Sequence, residues 1–210
     1  MSSSAIKIWG RGNSANVKRV LWAAEELGVA YESVPAGGAY GRNDELVALG
    51  NPTGLVPTLQ DGDFVLWESA AIVRYLGHAY GAGSTFFPDD AKTRAAADKW
   101  VDWTPTFFKE LFPAFIGLVR TPEDKRDPAA IAASIEGTAA IIRKVVEPTL
   151  AKQDYFSGKE FGFGDVTLGA LAYIWFEAIK ERPALPGWDA WYARVSARPA
   201  FKKVVAIGLS

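Results

Sequence analysis

The dipeptide Asp61-Gly62, which lies between two short apolar segments, constrains the fold of this chain more than any other feature of its sequence. Such a dipeptide is typical of a two-residue hairpin turn, here joining residues 57–60 to residues 64–67. A hairpin at this place predicts two antiparallel neighbours in a sheet. It disfavours a doubly wound parallel sheet, because that fold continues with further parallel β-α units.

Around the hairpin, the first 80 residues alternate between strand-like and helical segments. The helical segments carry apolar side chains at the i, i+3, i+4, i+7 spacing of one helix face. Strands are predicted at residues 5–9, 30–34, 57–60 and 64–67, and helices at residues 14–27, 44–49 and 68–80. The resulting order is β-α-β-α-β-β-α, an α+β unit.

Every element predicted after residue 90 is a helix. We interpret residues 81–90, which contain Gly, Ser and Pro, as a linker between a domain of residues 1–80 and an all-α domain of residues 91–210. Pro105 is expected to kink the first long helix or end one of its turns. The helices are predicted at residues 91–119, 128–150, 163–180, 188–195 and 199–206.

The composition excludes several classes of function. The 210 residues contain no cysteine and one histidine, His78, so we expect no disulfide, no cysteine nucleophile and no metal site built on histidines. A formal net charge of -1 disfavours nucleic acid as a partner. No apolar segment reaches the roughly 18 residues of a membrane-spanning helix, and no signal-peptide pattern is visible. We expect a cytoplasmic protein with no metal, no cofactor and no membrane partner.

The first loop supports one alternative, a site for a nicotinamide dinucleotide. Residues 10–15 read G-x-G-x-x-A directly after the first predicted strand, and Glu32 closes the second. The glycines would admit a pyrophosphate, and Glu32 would bind a ribose hydroxyl. A nicotinamide-dependent oxidoreductase is nevertheless the less favoured interpretation, because the hairpin and the helical second half leave too few parallel strands.

Residues 51–59, with the sequence NPTGLVPTL, indicate a different kind of site. A cis Val56-Pro57 bond costs only about 0.5 to 1 kcal/mol and would let the Val56 backbone pair with an extended peptide. Glu68 and Ser69 follow at the start of the third helix, where the helix dipole favours an anion. The simpler alternative is a turn proline and a helix cap.

These motifs resemble those of the cytosolic glutathione transferases: NPTGLVPTL, the DGD hairpin and WESAAIVRYL. The resemblance extends to FGFGDVTLGALAY, which is similar to the family's capping motif for a buried helix, with Phe161 and Val166 as a hydrophobic staple and Asp165 as the third-position carboxylate. Gly162 replaces the usual Ser or Thr. The resemblance implies a thioredoxin-like first domain, an all-helical second domain and a homodimer.

The resemblance also implies where glutathione binds. The Val56 backbone beside Pro57 would pair with the cysteinyl residue, and Glu68 with Ser69 would bind the γ-glutamyl end. The family often has Gln, His or Lys before the cis-proline to contact the glycyl carboxylate. Here that position is Gly54, and Arg42 is the expected substitute.

Family members stabilise the glutathione thiolate with a Tyr, Ser or Cys near the end of the first strand. Trp9 ends that strand here, so Ser14 is the remaining candidate, as in the serine-type (theta- or delta-like, or a related bacterial) classes. Ser14 is equally suited to cap the first helix, and the two roles are compatible. Asn13 or Asn16 is the alternative donor.

The implied reaction is attack of the thiolate on an apolar electrophile, by conjugation, substitution or isomerisation. The electrophile would lie beside the sulfur and against the helical domain, and Asp102 would reach the γ-glutamyl ammonium across a dimer interface. The candidate residues of this electrophile site are Trp9, Arg11, Trp103, Phe107 and Phe108. A non-catalytic binding or scaffold protein with the same fold is the alternative function.

Overall fold

The computed structural model describes residues 6–209, and its first half contains a four-stranded sheet of order β2-β1-β3-β4. Strand β1 runs parallel to β2 and antiparallel to β3, and β3 forms the hairpin with β4. The strands are β1 (Ile6–Trp9), β2 (Tyr31–Val34), β3 (Thr58–Asp61) and β4 (Phe64–Trp67). The predicted element order and the Asp61-Gly62 hairpin are confirmed; residue 5, the expected start of β1, lies outside the described residues.

The helices follow the predicted order, with differences at their ends. Three helices accompany the sheet, and the others form the second half. They are α1 (Ala15–Glu26), α2 (Asn43–Leu49), α3 (Ser69–Tyr80), α4 (Ala91–Phe115), α5 (Pro128–Ile141), α6 (Glu147–Leu150), α7 (Phe163–Ala178), α8 (Pro186–Ser196) and α9 (Pro199–Val204). Two long helices were predicted without interruption, but π-helical turns at Ile116–Arg120 and Ile142–Val146 follow α4 and α5. Pro105 lies inside α4, which continues past it.

The two halves share one apolar core, at the centre of which lies α7. This helix packs against α1 on one side and α4 on the other. Gly169 permits the contact with α1, because a Cβ there would lie 2.6 Å from the Trp22 ring. Since the core is continuous, the division into residues 1–80, 81–90 and 91–210 stays a prediction.

The first residues of α7 are fixed by one buried carboxylate, as the capping motif predicted. Asp165 Oδ2 accepts hydrogen bonds from the backbone N–H groups of Gly162 at 3.1 Å and Ser157 at 3.2 Å. Its Oδ1 accepts from the Phe156 N–H at 2.7 Å and from the Trp191 indole at 2.8 Å. Asp165 is fully buried, and it joins three separate segments of the chain.

The structure does not support a dinucleotide site in the first loop. Gly10 is required by packing, because a Cβ there would overlap the Val17 side chain. Glu32 is exposed and lies 3.8 Å from the Lys7 ammonium. The sheet contains one parallel pair of strands among the described residues, so it has no crevice between successive β-α units.

Within residues 6–209, no helix is long and apolar enough to cross a membrane. The same residues contain no cluster of three or more potential metal ligands among their His, Cys, Asp and Glu side chains.

Candidate active site

A narrow groove lies where α1, the start of β3 and the start of α3 meet. Its walls include Asn16, Val56, Pro57, Glu68 and Ser69, so four of the five residues predicted to bind glutathione line one groove. The Val56-Pro57 peptide bond is cis, as expected.

The loop before β3 is fixed by Asn51, which is fully buried. Its amide nitrogen donates to the Leu55 carbonyl at 2.8 Å and to the Thr58 hydroxyl at 2.7 Å. Its amide oxygen accepts from the N–H of Thr53 at 3.0 Å and from its hydroxyl at 2.7 Å. These four bonds set the conformation of the loop that presents Val56 to the groove.

Glu68 and Ser69 lie next to the buried side chain of Arg19. Glu68 has φ +69°, an unusual value for a residue other than glycine, and its side chain is exposed. Ser69, 6% exposed, accepts a hydrogen bond at 3.3 Å from Nη1 of Arg19, 8% exposed. Burial lowers the pKa of Arg19 to about 10, and the Glu68 carboxylate opposes that shift. Arg19 therefore stays charged at neutral pH and supports both residues.

Arg42 lies outside the groove. Its guanidinium donates to both carboxylate oxygens of Glu45, at 2.9 and 2.7 Å, and covers the Trp9 ring at 4.7 Å. The Glu45 pair raises the pKa of Arg42. Gly54 has φ +62°, a backbone conformation that favours glycine, and a Cβ there would lie 3.3 Å from Val47. The contact between Arg42 and the glycyl carboxylate stays a prediction.

A second cavity, a cleft of about 190 Å³, lies between the N-terminus of α1 and the helices of the second half. Arg11, Asn13, Ser14 and Lys18 line its first wall. Asn16 borders both the cleft and the groove, so the two cavities are adjacent at the first turn of α1.

Ser14 occupies the N-cap position of α1, with φ -72° and ψ 128°, but its side chain forms no capping hydrogen bond within the described structure. Asn13 Oδ1 is buried there and has no hydrogen-bond partner among the described residues. Buried polar atoms are normally paired in folded proteins. The N-terminus of α1 thus carries polar groups that a ligand in the cleft can satisfy.

Phe108, Phe112 and Phe115 on α4 also line the cleft. Phe108 was predicted there, whereas Phe112 and Phe115 were not. Their spacing of i, i+4 and i+7 places all three on one face of the helix.

Trp9, Trp103 and Phe107 are not among the described residues that line this cleft, and their assignment to the electrophile site stays a prediction. Phe107 is fully buried against Trp188, with ring centroids 5.5 Å apart, and Trp103 lies edge-on to another core tryptophan. These two residues follow a different face of α4, which is turned toward the core. Trp9 lies under the Arg42 guanidinium instead.

Comparison with known proteins places this arrangement in a family. A family model described as the N-terminal domain of glutathione S-transferase matches residues 4–78. The glutathione S-transferase GstB of Escherichia coli strain K12 is 42% identical over 98% of this chain and 100% of its own length. This chain belongs to the glutathione S-transferase family. Glutathione S-transferase 3 of Zea mays is 33% identical, over 96% of this chain and 93% of its own.

Solved structures of glutathione S-transferases agree with that assignment. The theta class enzyme from Xanthomonas axonopodis pv. citri, with glutathione bound, has a TM-score of 0.91 and 49% identity over 98% of this chain and 99% of that chain. Glutathione S-transferase I from maize, in complex with an atrazine glutathione conjugate, has a TM-score of 0.85 and 27% identity over 97% of each chain. The predicted thioredoxin-like and helical halves are confirmed, and the chain is a glutathione-transferring enzyme.

Sequence interpretation did not single out four residues that line or support these two cavities: Arg19, Asn51, Phe112 and Phe115. Arg19 had no signal in the helical spacing, because it lies off the apolar face that Val17, Val20 and Leu21 form. Phe112 and Phe115 could have been found from the sequence, because their spacing places them on the same helix face as Phe108. The only sequence signal for Asn51 was its position in the segment NPTGLVPTL.

Proposed function

We propose that Ser14 donates a hydrogen bond to the sulfur of bound glutathione and stabilises it as a thiolate. The observation that carries this role is the position of Ser14 at the N-cap of α1, where it lines a cleft next to the groove and makes no capping hydrogen bond among the described residues. In this role Ser14 is a hydrogen-bond donor and not a nucleophile. Asn13, whose amide lies beside it, is the second candidate for the same role.

The energy required agrees with what this site can supply. Lowering a thiol pKa of about 8.5 by about two units needs about 2.7 kcal/mol of preference for the anion. One hydrogen bond to a charged acceptor contributes about 1.5 to 3 kcal/mol, and a helix N-terminus about 0.3 to 1 kcal/mol. Ser14 at the start of α1 combines both contributions, so no metal or bound cofactor is needed for this step.

For the rest of the tripeptide we propose that the Val56 backbone pairs with the cysteinyl residue and that Ser69 and Glu68 bind the γ-glutamyl end. Asn51 and Arg19 act as positioning residues behind them. The thiolate then attacks an electrophile in the adjacent cleft, by conjugation, substitution or isomerisation. Phe108, with its neighbours on α4, contacts the apolar part of that electrophile.

We also propose a homodimer located in the cytoplasm. Family membership supports both statements, and the exposed Asp102 supports the first. Its carboxylate lies 2.6 Å from Nη2 of Arg74, at an outer face formed by α3 and α4. A second copy bound at that face would bring Asp102 toward the partner's groove, as the resemblance implies.

The Ser14→Ala variant tests the proposed donor. Titrating the ultraviolet absorbance of the bound thiolate should show the pKa of glutathione raised by about one to two units, with its affinity changed less than about twofold. Ser33→Ala, an exposed serine of β2, is the matched control. If Ser14→Ala keeps the wild-type thiol pKa and Asn13→Ala raises it, Asn13 is the donor and Ser14 is not.

A further inference from the structure

Three cationic side chains are among the described residues that line the cleft beside Ser14, and a role as an apolar site does not explain them. Arg11 follows β1, Lys18 belongs to α1, and Arg120 follows α4; all three line the cleft. No Asp or Glu side chain is among the described residues that line it. Phe108, Phe112 and Phe115 line the same cleft, and the Arg120 guanidinium lies 4.9 Å from the centroid of the Phe115 ring. The cavity therefore combines an aromatic surface with positive charge.

Arg11 is poorly compensated within the described structure. Its Nη1 atom is buried and has no hydrogen-bond partner there. Its side chain lies tightly against the loop before α2, since a Cβ at Gly38 would be 2.9 Å from Arg11 Nε. Burial and the positive charge of Arg120 both lower the pKa of Arg11. An anion between Arg11 and Arg120 would relieve both effects.

Lys18 adds a third cation at the base of the cleft and is only 1% exposed. Its ammonium donates to the Gly208 carbonyl at 2.5 Å and lies 4.3 Å from the centroid of the Tyr173 ring. Burial lowers the pKa of Lys18 to about 8, with Glu177 on α7 opposing the shift. A carbonyl and a ring are weak compensation for a buried ammonium, so this end of the cleft also favours an anion.

We propose that this transferase prefers small aromatic electrophiles that carry a carboxylate, with the carboxylate bound between Arg11 and Arg120 and the ring packed on Phe108 and Phe112. The inference rests on the proposed function, because it names the substrate class for the same cleft. The volume fits one ring: a cavity of about 150 Å³ holds benzene, and this cleft has about 190 Å³.

A chloromethyl benzoate illustrates the reaction. The thiolate sulfur attacks the benzylic carbon, a sulfur–carbon bond forms, and the carbon–chlorine bond breaks. Chloride leaves with the bonding electron pair, the thiol proton has already passed to solvent, and the carboxylate is unchanged. The arginines therefore orient the electrophile and take no part in the bonds that change.

The test compares 4-(chloromethyl)benzoate with 4-(chloromethyl)benzamide, which has the same reactive carbon and leaving group but no charge. At saturating glutathione, and corrected for the uncatalysed rates, kcat/KM should favour the carboxylate by about tenfold or more. Arg120→Gln and Arg11→Gln should each reduce that ratio at least about fivefold. Lys125→Gln is the control, since it removes an exposed charge of the same region that does not line the cleft.

A binding measurement tests the preference for a carboxylate without catalytic turnover. The binding of S-(4-carboxybenzyl)glutathione and S-(4-carbamoylbenzyl)glutathione, compared by calorimetry, should show the same preference and the same loss in the arginine variants. Equal binding of the two conjugates overturns the proposal, while activity with both chlorides leaves the transferase function intact. Equal loss of activity with both chlorides in the arginine variants, together with a raised thiol pKa, also overturns it, because the cations then act on the glutathione sulfur.

Discussion

The N-termini of α1 and α7, two buried helices, differ in how completely their polar groups are hydrogen-bonded. At α7, Asp165 accepts four hydrogen bonds from three segments of the chain, and its carboxylate is fully enclosed. At α1, Ser14 forms no capping bond, and Asn13 Oδ1 and Arg11 Nη1 are buried without partners in the part of the chain that the structure describes.

We infer that the start of α7 contributes to stability and that the start of α1 contributes to ligand binding. Unpaired polar atoms cost free energy in a folded protein, and those at the start of α1 belong to residues that line the cleft, where a ligand can pair with them. The completed network at α7 fixes the central helix. The incomplete one at α1 leaves the Ser14 hydroxyl and the Arg11 and Lys18 side chains at the wall of the cleft.

The largest change in the free energy of unfolding is expected when Asp165, at the N-terminus of α7, is replaced. Asp165→Ala leaves four buried N–H groups without an acceptor, and the free energy of unfolding should fall by about 4 kcal/mol or more. Asp165→Asn keeps one acceptor oxygen and should lose about half as much. Urea denaturation measures both.

Asp90→Ala is the control for that experiment, since Asp90 caps the exposed start of α4 by accepting from the Thr93 N–H at 2.8 Å. Its loss should cost about 1 kcal/mol. A loss at Asp165→Ala no larger than this would refute the structural importance of the network.

The buried ammonium of Lys18 on α1 should make the free energy of unfolding depend on pH. The pKa of Lys18 is about 8 in the folded protein and about 10.4 in an unfolded chain. Between these values the unfolded chain binds more protons, so stability rises with pH. From about pH 7 to about pH 9.5, the wild type should gain about 1 to 2 kcal/mol relative to Lys18→Met.

Unfolding by urea at several pH values measures this gain, with Glu177 and Tyr173 as the ionisable groups that face Lys18 from α7. Lys144→Met, which replaces an exposed lysine, should follow the wild type. If Lys18→Met also follows the wild type, the ammonium is not the buried cation described here.

Arg19 is a second buried cation, next to the groove, and it lies beside the two residues proposed to bind the γ-glutamyl end of glutathione, Glu68 and Ser69. Arg19→Met should raise the KM for glutathione about five- to tenfold, or about 1 to 1.4 kcal/mol, with a smaller change in kcat. The cause is the loss of the donor to Ser69 and of the positive charge beneath Glu68.

Steady-state kinetics with varied glutathione measure this effect, and Arg19→Lys should recover part of the KM because it keeps the charge. An unchanged KM, with loss of folding stability alone, would assign Arg19 a purely structural role.

Ser14→Ala is expected to change the free energy of unfolding least of these variants, although it should change the pKa of the glutathione thiol. Because Ser14 makes no capping bond, the free energy of unfolding should change by less than about 0.5 kcal/mol. Asp127→Ala is the comparison, since that carboxylate caps α5 by accepting from Ala129 and Ala130 at 3.0 Å each. Equal losses in the two variants would mean that Ser14 caps α1 in solution.

The order of strands and helices could be predicted because it depends on local patterns. The Asp61-Gly62 turn identified the hairpin, and helical spacing identified most helices within a few residues. The π-helical turns after α4 and α5 were missed, since they insert into helices whose apolar spacing continues across them.

The electrophile site shows the limit of such patterns. Phe107 and Phe108 are neighbours in sequence, and either could face a cleft, since α4 has apolar residues on more than one face. Phe107 is buried against Trp188 on α8, whereas Phe108 lines the cavity.

The sequence by itself determined the local elements, the cis-proline loop and the residues available at the start of α1, because turn chemistry and periodicity act over a few residues. Tertiary structure alone decided that Arg19 supports Ser69, 50 residues away, and that Lys18 meets Gly208, 190 residues away. Such contacts depend on how helices pack in three dimensions, and no spacing along the chain encodes that distance.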